Sequence, residues 1–124
     1  MPNRKKVYVV DDDPSILRGL RRLLREHGFE AVLFDTAEGL QDHGRFDEAC
    51  CIVLDINLSE GSGIDLSYRL AASGVSLPII YITGNDSHAT RAAALESGCL
   101  AYLSKPFTAK SLLEPIERIS AGPA

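Results

Sequence analysis

The stretch VYVVDDDPSILRGL, residues 7–20, decides the fold class of this chain. Its first four residues are apolar and mostly β-branched, which is typical of a strand buried on both faces of a parallel sheet. Asp11, Asp12 and Asp13 follow, and Pro14 then opens a segment in which isoleucine and leucine recur at helical spacing. The stretch therefore predicts a buried strand, a short acidic loop and a helix.

The same alternation continues through the rest of the chain. Further apolar runs predict strands at residues 29–34, 50–54, 79–83 and 99–103. Helical patterns lie at residues 36–42, in a segment that reaches about Gly74, at residues 87–97 and after Thr108. Alternating strands and helices imply right-handed crossovers and a parallel sheet covered on both faces. We therefore predict an α/β fold, a flavodoxin-like (βα)5 doubly wound sandwich whose five-stranded parallel sheet has the order 2-1-3-4-5.

Length and composition limit the kind of protein. The chain has 124 residues, which indicates a single domain with a core at about residues 5–120 and short ends that lean towards disorder. Its net charge of −4 does not indicate a nucleic-acid binder, and no apolar run approaches the roughly 18 residues of a membrane span. The cysteines Cys50, Cys51 and Cys99 lack C-x-x-C spacing, which favours reduced thiols in strand cores and a cytoplasmic location.

Polar side chains stand where four of the predicted strands end. Asp11–Asp13 follow the first strand and Asp55 the third. Thr83 and Gly84 end the fourth strand, and Lys105 and Pro106 come after the fifth. In an open α/β sheet, ligands bind outside the carboxyl ends of the strands. We therefore expect these side chains to meet at one edge of the sheet.

The three adjacent aspartates divide into a helix cap and a cation site. Because Pro14 suits the first position of a helix, Asp13 is predicted to be the N-cap. One cap does not use Asp11 and Asp12, and together with Asp55 they form an all-oxygen donor set of the kind that Mg²⁺ prefers. We interpret the crowding of Asp11 and Asp12 as the mark of a cation shared with Asp55.

Three further residues complete this edge. Beside three acids, Lys105 is expected to be a counter-ion, and it could also pair with a phosphoryl oxygen. The hydroxyl of Thr83 could reach an oxygen of Asp55. Gly84 leaves room for a group to approach the backbone.

Four motifs in order, VVDDD, CIVLDINLSEGSGIDL, PIIYITG and YLSKPF, resemble the response-regulator receiver domain of two-component signalling. The resemblance covers about residues 5–120, so residues 1–124 are expected to form a single receiver domain. It implies that Asp55 is the phospho-acceptor, which takes a phosphoryl group from a sensor histidine kinase or a phosphotransfer domain. It also implies a signalling switch that promotes its own phosphorylation and dephosphorylation, and not a multi-turnover enzyme on external substrates.

The resemblance further implies a ligand set for Mg²⁺. Asp12 and Asp55 would bind the ion directly, Asp11 would bind it through water, and the backbone carbonyl of Asn57 would add another ligand.

A second group of residues would act on the phosphoryl group by the same resemblance. Thr83, with Gly84 beside it, would be the switching hydroxyl, and Lys105 would be the cation that pairs with a phosphoryl oxygen. Tyr102 matches the aromatic switch position, whose rotamer follows Thr83. The Lys105–Pro106 peptide bond is expected to be cis.

Several positions depart from the family pattern. Ser59 stands where many members have proline, and Leu100 and Ala101 replace polar residues. Pro115 falls inside the last predicted helix, which it should kink or shorten because it removes a backbone hydrogen bond. That helix often belongs to the family's dimerisation surface, which is made by the fourth helix, the fifth strand and the fifth helix and is called here the 4-5-5 face.

Two alternatives remain open from the sequence. One is a Mg²⁺-dependent phosphatase with an aspartyl-phosphate intermediate, which would turn over phosphate monoesters. The other is a degenerate receiver that acts only as a protein-binding module, which would not bind Mg²⁺. A receiver of this kind could also precede an output domain, as in transcription regulators, although no DNA-reading element is expected in this segment.

Overall fold

The computed structural model describes residues 5–59 and 61–120. The strands are β1 (Lys5–Val10), β2 (Phe29–Phe34), β3 (Ala49–Asp55), β4 (Asn57–Leu58), β5 (Gly61–Ser62), β6 (Ile79–Thr83) and β7 (Ala101–Ser104). The helices are α1 (Pro14–Glu26), α2 (Ala37–His43), α3 (Gly63–Ala72), α4 (His88–Glu96) and α5 (Ala109–Ser120), with a short 3₁₀ helix at Phe46–Glu48. The predicted disorder at the chain ends falls on residues 1–4 and 121–124, which lie outside the described residues.

The main sheet is parallel and has the order β2-β1-β3-β6-β7. The strands β4 and β5 form a separate antiparallel hairpin that the sequence analysis does not predict. With this hairpin set aside, the observed order is the predicted 2-1-3-4-5, and the flavodoxin-like fold is confirmed. Strand β1 lies between β2 and the central strand β3, so the residues that follow β1 and β3 lie side by side.

The side chains of β1 alternate between two apolar layers. Val7 and Val9 pack with leucines and isoleucines of α1 and α5. Tyr8 and Val10 pack on the other face with residues of α2, α3 and α4. Each of these four side chains is fully buried. The near-continuous apolar run of β1 therefore follows from the cover that helices give to both faces of the sheet.

Three local expectations need correction. Pro115 does not shorten α5, which continues to Ser120, because Pro115 is itself buried and Leu112 and Ile116 of the same helix anchor it in the core. The last strand begins at Ala101, so Cys99 is half-buried ahead of the strand and not within it. Cys50 is also half-buried, because it is the extra residue where the pairing of β1 with β3 shifts register.

No helix within residues 5–59 and 61–120 is long and apolar enough to cross a membrane.

Candidate functional site

Three carboxylates converge at the carboxyl ends of β1 and β3. Asp11, Asp12 and Asp55 each place one oxygen within 4.8 Å of the others. Asp11 and Asp55 are buried, whereas Asp12 is exposed. Adjacent parallel strands with in-register ends produce this cluster, since Val10 pairs with Leu54 and the acids come directly after them.

Lys105 supplies the positive charge in this cluster. Its Nζ lies 2.9 Å from Oδ2 of Asp11 and 3.5 Å from Oδ2 of Asp55. Burial lowers the pKa of Lys105, but the hydrogen bond to Asp11 and the charges of both acids outweigh burial and raise it above its usual value. The backbone N–H of Lys105 donates to the carbonyl of Thr83 at 2.7 Å, and the Lys105–Pro106 peptide bond is cis. The lysine is thus fixed to the end of β6 and faces the acids.

The Asp55 carboxyl is hydrogen-bonded by the loop that follows it. Burial and a neighbouring acid disfavour its anionic form. Its Oδ1 accepts a hydrogen bond from the backbone N–H of Asn57 at 3.0 Å. Burial raises the pKa of Asp55 to about 6, and the negative charge of Asp11 adds to the rise, while the Asn57 N–H opposes it. The group is therefore an anion at neutral pH, and its Oδ2 faces the ammonium of Lys105.

Asp13 is the N-cap of α1, where it accepts hydrogen bonds from the backbone N–H and the hydroxyl of Ser15. The interpretation that Asp11 and Asp12 are reasonable only with a shared cation is too strong, because each has a partner within the protein. Asp11 binds Lys105 and also accepts the backbone N–H of Asp13 at 2.9 Å. Oδ2 of Asp12 accepts the backbone N–H of Ser59 at 3.1 Å.

The hydroxyl of Thr83 binds a different residue from the one expected. Thr83 is fully buried, and its Oγ1 donates to Oδ1 of Asn57 at 2.7 Å and not to Asp55. The same oxygen accepts the backbone N–H of Asn85 at 3.0 Å. Asn57, two residues after Asp55, therefore takes the hydrogen bond that Thr83 was expected to give to Asp55.

Two glycines flank the site with different roles. Gly84 is exposed, and a Cβ there would meet only Cδ of Lys105, at an ordinary 3.8 Å. Sterics therefore do not require glycine at position 84. At Gly63, by contrast, a Cβ would lie 2.3 Å from the carbonyl oxygen of Asp55. Gly63 lets the start of α3 come close to the Asp55 backbone, where its N–H donates to the carbonyl of Ile56 at 2.8 Å.

Tyr102 lies in β7, the outermost strand on this side of the sheet. Its hydroxyl donates to Oδ1 of Asp86 at 2.7 Å, and the guanidinium of Arg91 lies over the ring, 5.0 Å from its centroid. Arg91 in turn binds Oδ2 of Asp86 at 2.9 Å. Burial and the Asp86 carboxylate raise the pKa of Tyr102 to about 12. The tyrosine is thus linked by side-chain contacts to the first turn of α4.

Several contacts of the site are absent from the sequence-based expectations. The side chain of Asn57 carries a weak signal, because an amide in a turn often hydrogen-bonds locally. Asp86 and Arg91 are five positions apart at the start of a helix, which gives a weak signal for an ion pair. The Ser59 amide carries none, since every residue except proline has a backbone N–H.

Comparison with known proteins agrees with this geometry. The family model of the response regulator receiver domain matches residues 7–117. Nodulation protein W of Bradyrhizobium diazoefficiens is 37% identical over 110 residues, which are 89% of this chain and 48% of that protein. The response regulator protein TmoT of Ectopseudomonas mendocina is 36% identical over 112 residues, 89% of this chain and 50% of that protein. The chain thus spans about half the length of these curated relatives.

Solved structures show the same likeness. The response regulator StyR is 39% identical with a TM-score of 0.85, over 94% of this chain and 59% of that chain. FixJ-N is 26% identical with a TM-score of 0.84, over 100% of this chain and 98% of that chain. The match extends over nearly all of the described residues, and the acidic cluster lies within it. The chain therefore belongs to the response regulator receiver domain family.

Proposed function

We propose that residues 1–124 form a single receiver domain that works as a phosphorylation-controlled switch, with Asp55 as phospho-acceptor. One observation carries the proposal: a buried, ionisable Asp55 lies beside Asp11 and has the ammonium of Lys105 3.5 Å from its Oδ2. Phosphoryl transfer requires mainly positioning and charge neutralisation, and this arrangement offers both.

In the proposed transfer, an oxygen of the Asp55 carboxylate attacks the phosphorus of a phosphohistidine. A P–O bond forms, the P–N bond breaks, and the imidazole nitrogen leaves with the electron pair. No general base is needed, because the pKa of Asp55 is about 6 and the nucleophile is already ionised at neutral pH. Lys105 is close enough to pair with an oxygen of the new acyl phosphate, and hydrolysis by water returns the carboxylate and inorganic phosphate.

The residues around Asp55 fit a hard divalent cation. Three carboxylate oxygens within 4.8 Å of one another are a donor set for Mg²⁺, and Asp12 gives the cluster an open, exposed side. We assign Asp12 and Asp55 as direct ligands, Asp11 as a ligand through water, and the backbone carbonyl of Asn57 as a further ligand. Bound there, Mg²⁺ would supply positive charge beside the phosphoryl oxygens.

The phosphoryl group would change the contacts of Thr83. Phosphorylation adds negative charge at Asp55, which favours a hydrogen-bond donor beside it. The Thr83 hydroxyl would then leave Asn57 for a phosphoryl oxygen, close to Gly84. The space vacated at the end of β6 would allow Tyr102 to change rotamer and release Asp86. The surface around α4 and β7 would thus report the phosphorylation state.

We further propose a histidine kinase or phosphotransfer domain as phosphodonor and a cytoplasmic location. The relatives are about twice as long, which supports a further domain, such as an output domain, in the full protein. A homodimer through the 4-5-5 face, formed here by α4, β7 and α5, is compatible with Pro115. Pro115 is buried and α5 is not interrupted, so the exposed residues of the helix remain on one continuous helical surface.

The test is labelling with acetyl phosphate, a small phosphodonor, with and without Mg²⁺. We expect one aspartyl phosphate, recognised by its lability to alkali and hydroxylamine, in the presence of Mg²⁺ and none in EDTA or in Asp55→Asn. Labelling of Asp55→Asn at the wild-type level would overturn the acceptor assignment. Sustained hydrolysis of generic phosphate monoesters would instead favour a phosphatase.

A further inference from the structure

We infer that Ser59 is a positioning residue for the cation, acting through its backbone N–H on Asp12. The inference rests on the proposed function, in which Asp12 is a direct ligand of Mg²⁺. The N–H of Ser59 donates to Oδ2 of Asp12 at 3.1 Å, across 47 residues of sequence. Within residues 5–59 and 61–120, this is the only hydrogen bond or ion pair of the Asp12 side chain.

Asp12 needs such a contact more than the other two acids do. Asp11 and Asp55 are buried and held by Lys105 and by backbone N–H groups. Asp12 is exposed, so its carboxylate would otherwise rotate freely in solvent. A hydrogen bond to Oδ2 fixes the plane of the group and leaves Oδ1 for the cation. Carboxylates that bind metals are commonly oriented in this way by a second hydrogen bond.

The loop that holds Asp12 is the same loop that holds Asp55. Ser59 lies in the turn between β4 and β5, and the N–H of Asn57, in β4, donates to Asp55. Two amides of one hairpin therefore orient two ligands that come from different strands. The hairpin thus sets the distance between the two direct ligands before any cation arrives.

This contact depends on the departure from the family pattern at position 59. A proline there has no N–H and could not donate to Asp12. The hydroxyl of Ser59 makes no hydrogen bond within residues 5–59 and 61–120, so the main chain and not the side chain carries the role. Any residue other than proline is therefore expected to preserve the contact.

The first test measures Mg²⁺ affinity by calorimetry. Ser59→Pro is expected to bind Mg²⁺ about tenfold more weakly than wild type, the usual cost of removing a group that orients a ligand. Ser59→Ala keeps the N–H and is expected to bind as wild type does. In an Asp12→Ala background, Ser59→Pro should leave the residual affinity unchanged. Equal affinities of the Pro and Ala variants, or an effect of Ser59→Pro that persists without Asp12, would overturn the inference.

The second test is hydrogen exchange of the Ser59 amide, followed by NMR. In metal-free protein, Asp12→Ala should speed exchange at Ser59, whereas Asp13→Ala should not. Addition of Mg²⁺ should preserve protection at Ser59; a loss would mean that the amide competes with the cation, which would overturn the positioning role. If wild type binds no Mg²⁺ at all, the proposed function fails, while the metal-free exchange still tests the Ser59–Asp12 contact.

Discussion

The hydroxyl of Thr83 donates a 2.7 Å hydrogen bond to the side-chain oxygen of Asn57. The backbone N–H of the same asparagine donates to Oδ1 of Asp55 at 3.0 Å. Asn57 therefore connects the proposed acceptor with the proposed switch residue. Its main-chain N–H binds Asp55, and its side chain binds Thr83. A phosphoryl group on Asp55 would have to draw Thr83 away from this asparagine.

A double-mutant cycle measures the Thr83–Asn57 contact. Asn57→Ala leaves a buried hydroxyl without its acceptor, and Thr83→Val removes the hydroxyl while keeping the shape. We expect each single variant to lose about 1–2 kcal/mol of unfolding free energy in urea, with a coupling energy of about 1 kcal/mol. A coupling energy near zero would show that the two side chains do not interact in solution.

Asp55→Asn should make the protein more stable at neutral pH when divalent cations are absent. The pKa of Asp55 is raised from 3.8 to about 6, mainly by burial, so ionisation costs more in the folded state than in the unfolded state. The protonated Asp55 carboxyl contributes favourably to the free energy of unfolding. This contribution is complete below pH 3.8 and is lost as pH rises through 6. The free energy of unfolding of the variant should therefore exceed that of wild type by on the order of 1 kcal/mol at pH 7.5.

Urea melts in EDTA at pH 4 and pH 7.5 check this prediction. The advantage of Asp55→Asn should shrink at pH 4, where the wild-type carboxyl is mostly protonated in the folded protein. Asp47 is exposed, so Asp47→Asn serves as a control that neutralises a solvated carboxylate. An equal pH dependence of the two variants would contradict the assigned effect of burial.

Lys105→Met should be strongly destabilising because it leaves Asp11 buried without a cation. Asp11 has no exposed surface, and loss of one partner of a buried pair costs about 3–5 kcal/mol. The pKa of Lys105 lies above its usual value of 10.5, so protonation of this lysine contributes to folding stability; that contribution is complete below about pH 10.5 and is lost as pH rises through the raised pKa.

The exposed Lys110 provides the matched control for this change. Lys110→Met should alter the thermal midpoint little, and Asp11→Asn should recover part of the stability when combined with Lys105→Met. Similar losses in the Lys105 and Lys110 variants would exclude a special role for the buried pair.

Elements with strong local patterns could be predicted, and contacts between loops could not. The parallel sheet follows from apolar runs such as residues 7–10, because strands covered on both faces have that composition and helical patterns separate the runs. The acidic edge follows from topology, since Asp11 and Asp55 end neighbouring strands. The cap at Asp13 follows from Pro14.

The missed features depend on tertiary geometry. Strands of two residues, as in the hairpin at Asn57–Leu58, are too short to show a period. The choice of Asn57 over Asp55 as the partner of Thr83 depends on side-chain rotamers. The continuation of α5 through Pro115 depends on core contacts of that helix, which outweigh one lost hydrogen bond.

Asp12 and Asp13 should respond differently to Mg²⁺ although they are adjacent. We expect Mg²⁺ to raise the unfolding midpoint of wild type, because it relieves repulsion among three carboxylates and binds only the folded site. Asp12→Ala should abolish this rise. Asp13→Ala should lose about 1 kcal/mol of unfolding free energy, because it removes the N-cap of α1, and its midpoint should still rise with Mg²⁺. Thermal unfolding with and without Mg²⁺ checks both variants. Equal responses would mean that the assignment of Asp12 to the cation and of Asp13 to the helix cap is wrong.

Two glycine-to-alanine changes should alter stability in opposite directions. A Cβ at Gly63 would lie 2.3 Å from the carbonyl oxygen of Asp55, so Gly63→Ala must displace the start of α3 from the Asp55 backbone. We expect a loss of about 2 kcal/mol or more and slower labelling by acetyl phosphate. Gly19 lies within α1 and is exposed, and a Cβ there would meet no atom within 4 Å.

Gly19→Ala should therefore gain up to about 1 kcal/mol, because alanine loses less backbone entropy in a helix than glycine does. Its labelling rate should match that of wild type, since α1 is not displaced. Urea melts show whether each variant is more or less stable than wild type. Labelling of the same samples separates a displacement of Asp55 from a general loss of stability. A Gly63→Ala variant as stable as wild type would show that α3 does not depend on its close approach to Asp55.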